Sequence, residues 1–152
     1  MKKLIKSILT VATVSLLVLI SMSSTTYNRT YSIVVKVDNL RNSKGNVQFS
    51  LYNKEGSIPD EKYKKYYKQF NSKITSGSAM VTFKNIPKGK YAINILHDEN
   101  KNGKIDKGWI MPIEGIGFSN YSSIGLTNRP NFSKASFNVN ENIVKHIKVI
   151  YM

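Results

Sequence analysis

The chain of 152 residues contains no cysteine, two histidines, one tryptophan and four prolines, and only nine Asp+Glu stand against twenty-three Lys+Arg. Each shortage removes a class of function. Without cysteine there is no disulfide framework, no thiolate nucleophile, no Cys-ligated zinc or iron–sulfur cluster, and no lipoprotein anchor. Few acids and two histidines leave little from which to assemble an acid, a base and a nucleophile. No Ser/His/Asp order, Gly-rich phosphate loop or assignable carboxylate pair stands out, so the chain is not expected to be an enzyme. What is present is 41% hydrophobic residues, enough for a packed core rather than a disordered chain.

The one long apolar run lies at the N-terminus. Met1-Lys2-Lys3-Leu4-Ile5-Lys6 is a charged start, and Ile8 to Ile20 is apolar except for Thr10, Thr13 and Ser15. The small-residue stretch Ser21-Met22-Ser23-Ser24 follows. A run of about thirteen is short for a bilayer and has the form of a secretory leader. The expected organisation is a signal peptide over 1–24, cleaved near Ser23 to Thr26, and a single domain over 25–152 with no transmembrane span. An uncleaved N-terminal anchor is the other reading, because no A-x-A site is present. Export without cysteine fits a bacterial protein of the periplasm or the extracellular space.

The leader takes three lysines with it, so the formal charge falls from the full chain's +14 to +11. In a cytoplasmic protein a pI near 9.9 would suggest nucleic acid. In an exported one the anionic partners are envelope glycans and lipid headgroups, so no nucleic-acid partner is expected. Compositional drift is the plainer source of the charge, since lysine outnumbers arginine twenty to three. A monomer is expected.

Beyond the leader, period-2 alternation dominates. Tyr31, Ile33, Val35 and Val37 share one face, as do Val47, Phe49 and Leu51 after the turn Lys44-Gly45-Asn46. Ala79, Val81 and Phe83 follow, then Tyr91, Ile93 and Ile95, then Ala135, Phe137 and Val139. Ile143, Ile147, Val149 and Tyr151 share a face of the last strand. This pattern predicts an all-β antiparallel sandwich of about seven strands, with one solvated face per sheet. Val35, Val47, Phe49, Leu51, Val81, Phe83, Ile93, Phe137 and Val149 are expected in one core.

Residues 58–70 break the alternation. Pro59 suits a first helical position, Asp60 and Glu61 suit a helix N-terminus, and Tyr63, Tyr66, Tyr67 and Phe70 fall at i, i+3, i+4 and i+7. A short inserted helix is predicted, with Lys62, Lys64, Lys65 and Lys68 on its other face. Those lysines are either solvated surface or a binding surface for anionic glycan or lipid.

The stretch richest in chemistry is His97-Asp98-Glu99-Asn100-Lys101-Asn102-Gly103-Lys104-Ile105-Asp106. Counting Asp98 as position 1, oxygen side chains fall at 3 (Asn100), 5 (Asn102) and 9 (Asp106). Gly103 stands at 6 and the Lys104 carbonyl at 7. These are the first nine positions of an EF-hand-type loop, where alternate residues turn oxygens inward and glycine allows the bend. All-oxygen donors suit calcium rather than zinc or copper. Position 12 is Trp109 in place of the usual glutamate, so Glu114 or Glu99 would have to supply that carboxylate. Lys101 and Lys104 oppose a cation unless they point outward. A metal-free Asx-rich hairpin is the alternative. His97 is expected to be a hydrogen-bonded residue at a strand end, and His146 a surface residue.

His97-Asp98-Glu99-Asn100 with Asn102-Gly103 and Ile105-Asp106, then Pro112, Glu114-Gly115 and Gly117-Phe118-Ser119-Asn120, resembles the signature of domain-of-unknown-function family 2141. Pro130, Phe132, Ala135 and Phe137 continue the likeness. Asn85-Ile86-Pro87-Lys88-Gly89-Lys90-Tyr91 fits as well, and is similar to turns of transthyretin-like and carboxypeptidase-regulatory-like sandwiches. The resemblance spans about residues 31 to 151 and implies an exported bacterial sandwich of unassigned function. Between Asp106 and Pro112 the chain is one residue shorter than the family pattern, with Ile110 or Met111 where a glycine is expected. That leaves open whether Glu114 reaches the loop.

Overall fold

A computed structural model describes residues 29–106, 108, 113–125 and 127–152. The leader over 1–24 and its cleavage point lie outside the described residues, as do Trp109, Ile110, Met111 and Pro112. In chain order the elements are β1 (Thr30–Val37), β2 (Asn46–Tyr52), β3 (Lys68–Ser72), β4 (Ala79–Pro87), β5 (Gly89–Asp98), β6 (Gly115–Phe118), α1 (Phe132–Ala135), β7 (Phe137–Val139) and β8 (Ile143–His146). They form a three-stranded sheet, β4-β1-β8, and a five-stranded sheet, β3-β2-β5-β6, in which β7 pairs with the start of β5. The all-β sandwich is as expected, with one departure: β8 runs parallel to β1. After β8 the chain continues to a bridge between Ile150 and Ile116 of β6, so the C-terminal segment ties one sheet to the other.

The core between the sheets is built from the predicted faces. Val35, Val47, Phe49, Leu51, Phe83, Ile93 and Val149 are buried in one cluster, and Val81 and Phe137 pack against it half-buried. Burying each large side chain contributes roughly 1.5–3 kcal/mol.

The outer face of the larger sheet is covered over β2, β5 and β6 and open to solvent only along the edge strand β3, which corrects the expectation of one solvated face per sheet. Tyr52, Ala92, Leu96, Ile116 and Phe118 form a second buried cluster on its outer side, with Ile58, Tyr63, Tyr121, Phe132 and Ala135 from the covering segments. Part of that cover is α1. Asn131 caps it by accepting the N–H of Lys134, and Asn120 donates its amide to the carbonyls of Lys134, Ala135 and Ser136 at the other end. The chain thus has one short described helix, but at Phe132–Ala135 and not at 59–70.

Residues 59–67 form turns instead. The Asp60 carboxylate accepts the backbone N–H groups of Lys64 and Lys65 and the hydroxyl of Tyr52. Tyr63 lies at φ +47, outside the right-handed helical region, and its ring enters the outer cluster. The chain then joins the sheet edge, Lys68–Ser72 pairing with β2. Burial of Tyr63 and edge pairing outweigh the weak helical preference of a short segment.

Candidate functional site

β5 delivers Asp98 to the end of the larger sheet, where its carboxylate folds the next residues around itself. One oxygen accepts the N–H of Asn102 at 3.0 Å and the other that of Gly103 at 2.8 Å. Asn100 Oδ1 also accepts from Asn102 N–H, and Asn102 Oδ1 accepts from Lys104 N–H. Gly103 sits at φ +69, the left-handed bend that glycine adopts without cost. Asp106 closes the ring, receiving the side-chain amides of Asn100 at 2.5 Å and Asn102 at 2.9 Å. Lys101 and Lys104 are exposed, so their ammonium groups have access to water.

Glu114 completes the cluster from outside the loop. It is 4% exposed and accepts the N–H of Glu99 at 2.9 Å and of Asp106 at 3.2 Å. The structure therefore brings Asp98, Asn100, Asn102, Asp106 and Glu114 together, with the Lys104 backbone in the same ring. Burial raises the Glu114 pKa, an effect that the two backbone donors offset only in part and that the charges of Asp106 and Asp98 reinforce. Among the described residues no group of three His, Cys, Asp or Glu side chains is placed to hold a metal ion. The carboxylates of Asp98, Asp106 and Glu114 are instead engaged by N–H donors.

Behind the loop lies a belt that the sequence does not reveal. His97 is fully buried; its Nδ1 stands 2.7 Å from the Tyr151 hydroxyl and its Nε2 3.0 Å from the Lys44 carbonyl. A carbonyl can only accept, so Nε2 carries a proton directed at Lys44. Arg41 lies over the Tyr151 ring at 4.7 Å and bonds Glu99 through Nε at 2.6 Å. His97 is thus hydrogen-bonded at a strand end, as expected, and His146 is exposed on β8. Also unforeseen are the buried Gln48 Nε2, which has no hydrogen-bond partner among the described residues, and the neighbouring buried pair Asn94 and Tyr63. Gln48 and Asn94 occupy the polar phase of their strands, which reads as solvent-facing until the cover over the outer face is known.

The lysine-rich segment is the other candidate. Lys62, Lys64 and Lys65 are exposed, whereas Lys68 is half-buried and donates to the Lys84 carbonyl at 2.8 Å. Tyr66, Tyr67 and Phe70 keep 41%, 39% and 47% of their surface. Tyr67 leans on Tyr91 and Phe70 on Phe83.

No helix of the described residues is long and apolar enough to cross a membrane. No curated protein and no solved structure matches the chain. A family model described as an uncharacterized protein conserved in bacteria (DUF2141) matches residues 35–147, which take in most of the sandwich and the Asp98–Asp106 loop, and the chain belongs to that family.

Proposed function

We propose that the protein is an exported, non-enzymatic sandwich module whose loop takes one calcium ion as a structural staple. Asp98, Asn100, Asn102, the Lys104 carbonyl and Asp106 would hold it, with Glu114 as the additional carboxylate. Glu114 carries the reading. It is a buried acid with no cation partner among the described residues, and it reaches the loop from eight residues beyond Asp106. A divalent cation supplies the countercharge that such burial lacks. The donor set is oxygen only, which favours calcium over softer metals. Asn100 and Asn102 turn NH2 groups towards Asp106; a half-turn of each amide would present oxygens instead and release the N–H groups of Asn102 and Lys104 that those oxygens accept. The module would lie outside the cytoplasm, in periplasm or extracellular space, as residues 25–152 behind a leader over 1–24. The charged and apolar start supports that placement.

With two certain carboxylates in the loop, affinity belongs in the range of extracellular modules, ~10⁻⁴ to 10⁻³ M. Titration calorimetry of purified protein against calcium tests the site. One ion per chain in that range is the expected result, and absence of any heat of binding rejects it.

A second contact is proposed for the same module, between Lys62, Lys64, Lys65 and Lys68 and anionic envelope glycan or lipid. It is favoured by the half-exposed Tyr66 and Tyr67 among those lysines, and salt-sensitive retention on envelope material tests it.

A further inference from the structure

We propose that the basic surface continues from residues 62–68 onto the β4–β5 hairpin, and that its ligand is a phosphate-bearing glycan rather than a lipid bilayer. This rests on the second reading above and gives it an extent and a partner. The two segments meet at one end of the sandwich. Lys68 Nζ donates to the Lys84 carbonyl, and the Tyr67 and Tyr91 rings stand 6.1 Å apart. Lys84, Lys88 and Lys90 are exposed beside them. Asp60 is buried, with its carboxylate occupied by Tyr52, Lys64 and Lys65, so its charge is withdrawn from this surface. The ten-residue β5 separates the hairpin tip at Gly89 from Asp98 by about 30 Å.

The shape selects the ligand. A bilayer-binding segment presents a continuous apolar face, most often that of an amphipathic helix. Here no helix forms, Tyr63 is turned into the outer cluster, Tyr67 rests on Tyr91 and Phe70 on Phe83. What remains outside is a set of separate rings spaced among ammonium groups, with the exposed Glu61 carboxylate beside Lys62 at one edge. Separate rings suit the apolar faces of successive sugars, and lysines act as point charges for phosphates between them.

The test measures binding of purified protein to phosphomannan, to the same polymer after dephosphorylation, and to vesicles containing phosphatidylglycerol, over a salt series. Three triple variants of equal charge change are compared: Lys62→Gln/Lys64→Gln/Lys65→Gln, Lys84→Gln/Lys88→Gln/Lys90→Gln, and a control, Lys36→Gln/Lys44→Gln/Lys73→Gln. Melting of each variant confirms folding. The first two should each weaken phosphomannan binding about tenfold or more and flatten its salt dependence, the control should bind like the unmodified protein, and dephosphorylation should abolish binding. A hairpin variant that binds like the unmodified protein overturns the proposal but leaves the 62–68 contact standing. Equal loss in the control overturns both. Tighter binding to vesicles than to phosphomannan overturns the choice of ligand.

Discussion

Glu114 accepts the backbone N–H of Asp106 at 3.2 Å, joining the residue before β6 to the far side of the loop that follows β5. Its other oxygen takes the N–H of Glu99, so one carboxylate holds both arms of the loop. Glu114→Ala strips two N–H groups of their acceptor and should cost about 1–3 kcal/mol, the penalty for leaving buried donors unpaired. Glu114→Gln keeps one acceptor oxygen and should lose less. Urea unfolding of both variants gives the comparison; a neutral alanine variant would show that the loop is held by other contacts.

The turn before β2 supports the same loop from below. At Gly45, φ is +71 and an added Cβ would lie 1.8 Å from the Asp98 carbonyl oxygen. Gly45→Ala must push Asp98 away from Asn46, its partner in the strand pair. The expected outcome is a loss of about 1–3 kcal/mol from backbone strain alone, together with changed amide shifts over 98–103. An alanine variant with unchanged shifts would refute this close packing.

In the core, Phe83 is fully buried, and Phe83→Ala should destabilise by about 3–5 kcal/mol. Phe137 is half-buried under the ammonium of Lys145, so Phe137→Ala should cost less than Phe83→Ala. Chemical denaturation of both orders them, and losses below ~1 kcal/mol at both would contradict the assigned faces.

Glu99 gives a pH signature. Partial burial works against its charge, but hydrogen bonds from Asn42 and Arg41 and the guanidinium charge prevail, and its pKa is lowered. An acid lowered on folding contributes stability above its unfolded pKa, about 4.3, and loses it as pH falls through the folded value. Both partners are partly exposed, at 38% and 19%, so the pair is worth about 0.2–1 kcal/mol. The stability gap between the unmodified protein and Glu99→Gln should be present near neutral pH and close in acid. A gap that stays constant through the acid range would assign it to packing.

The strands that were legible are those whose alternation ends in a turn signal: Val47, Phe49 and Leu51 after Lys44-Gly45-Asn46, and Tyr91, Ile93 and Ile95 after Pro87-Lys88-Gly89. The order of Asp98, Asn100, Asn102 and Asp106 was legible because spacing alone turns alternate side chains to one side. The outer cover was not. Ala92, Asn94 and Leu96 occupy the second face of β5, and only distant segments carrying Tyr63, Tyr121 and Phe132 decide that this face is dry. The same long-range burial explains the missing helix, since Tyr63, Tyr66, Tyr67 and Phe70 have helical spacing but Tyr63 is claimed by the outer cluster. The parallel pairing of β8 with β1 leaves no local mark, because β8 is an edge strand with one exposed face and alternates as an antiparallel strand does.

The most direct measurement is thermal melting of the unmodified protein and of Asp98→Ala, each in millimolar calcium and in chelator. Binding confined to the folded state adds RT ln(1 + [Ca]/Kd), about 1.4 kcal/mol at ten times Kd. Calcium should therefore raise the melting temperature of the unmodified protein and leave that of Asp98→Ala unchanged. Identical melting of the unmodified protein in calcium and in chelator would contradict the account and leave the Asp98–Asp106 segment a metal-free turn.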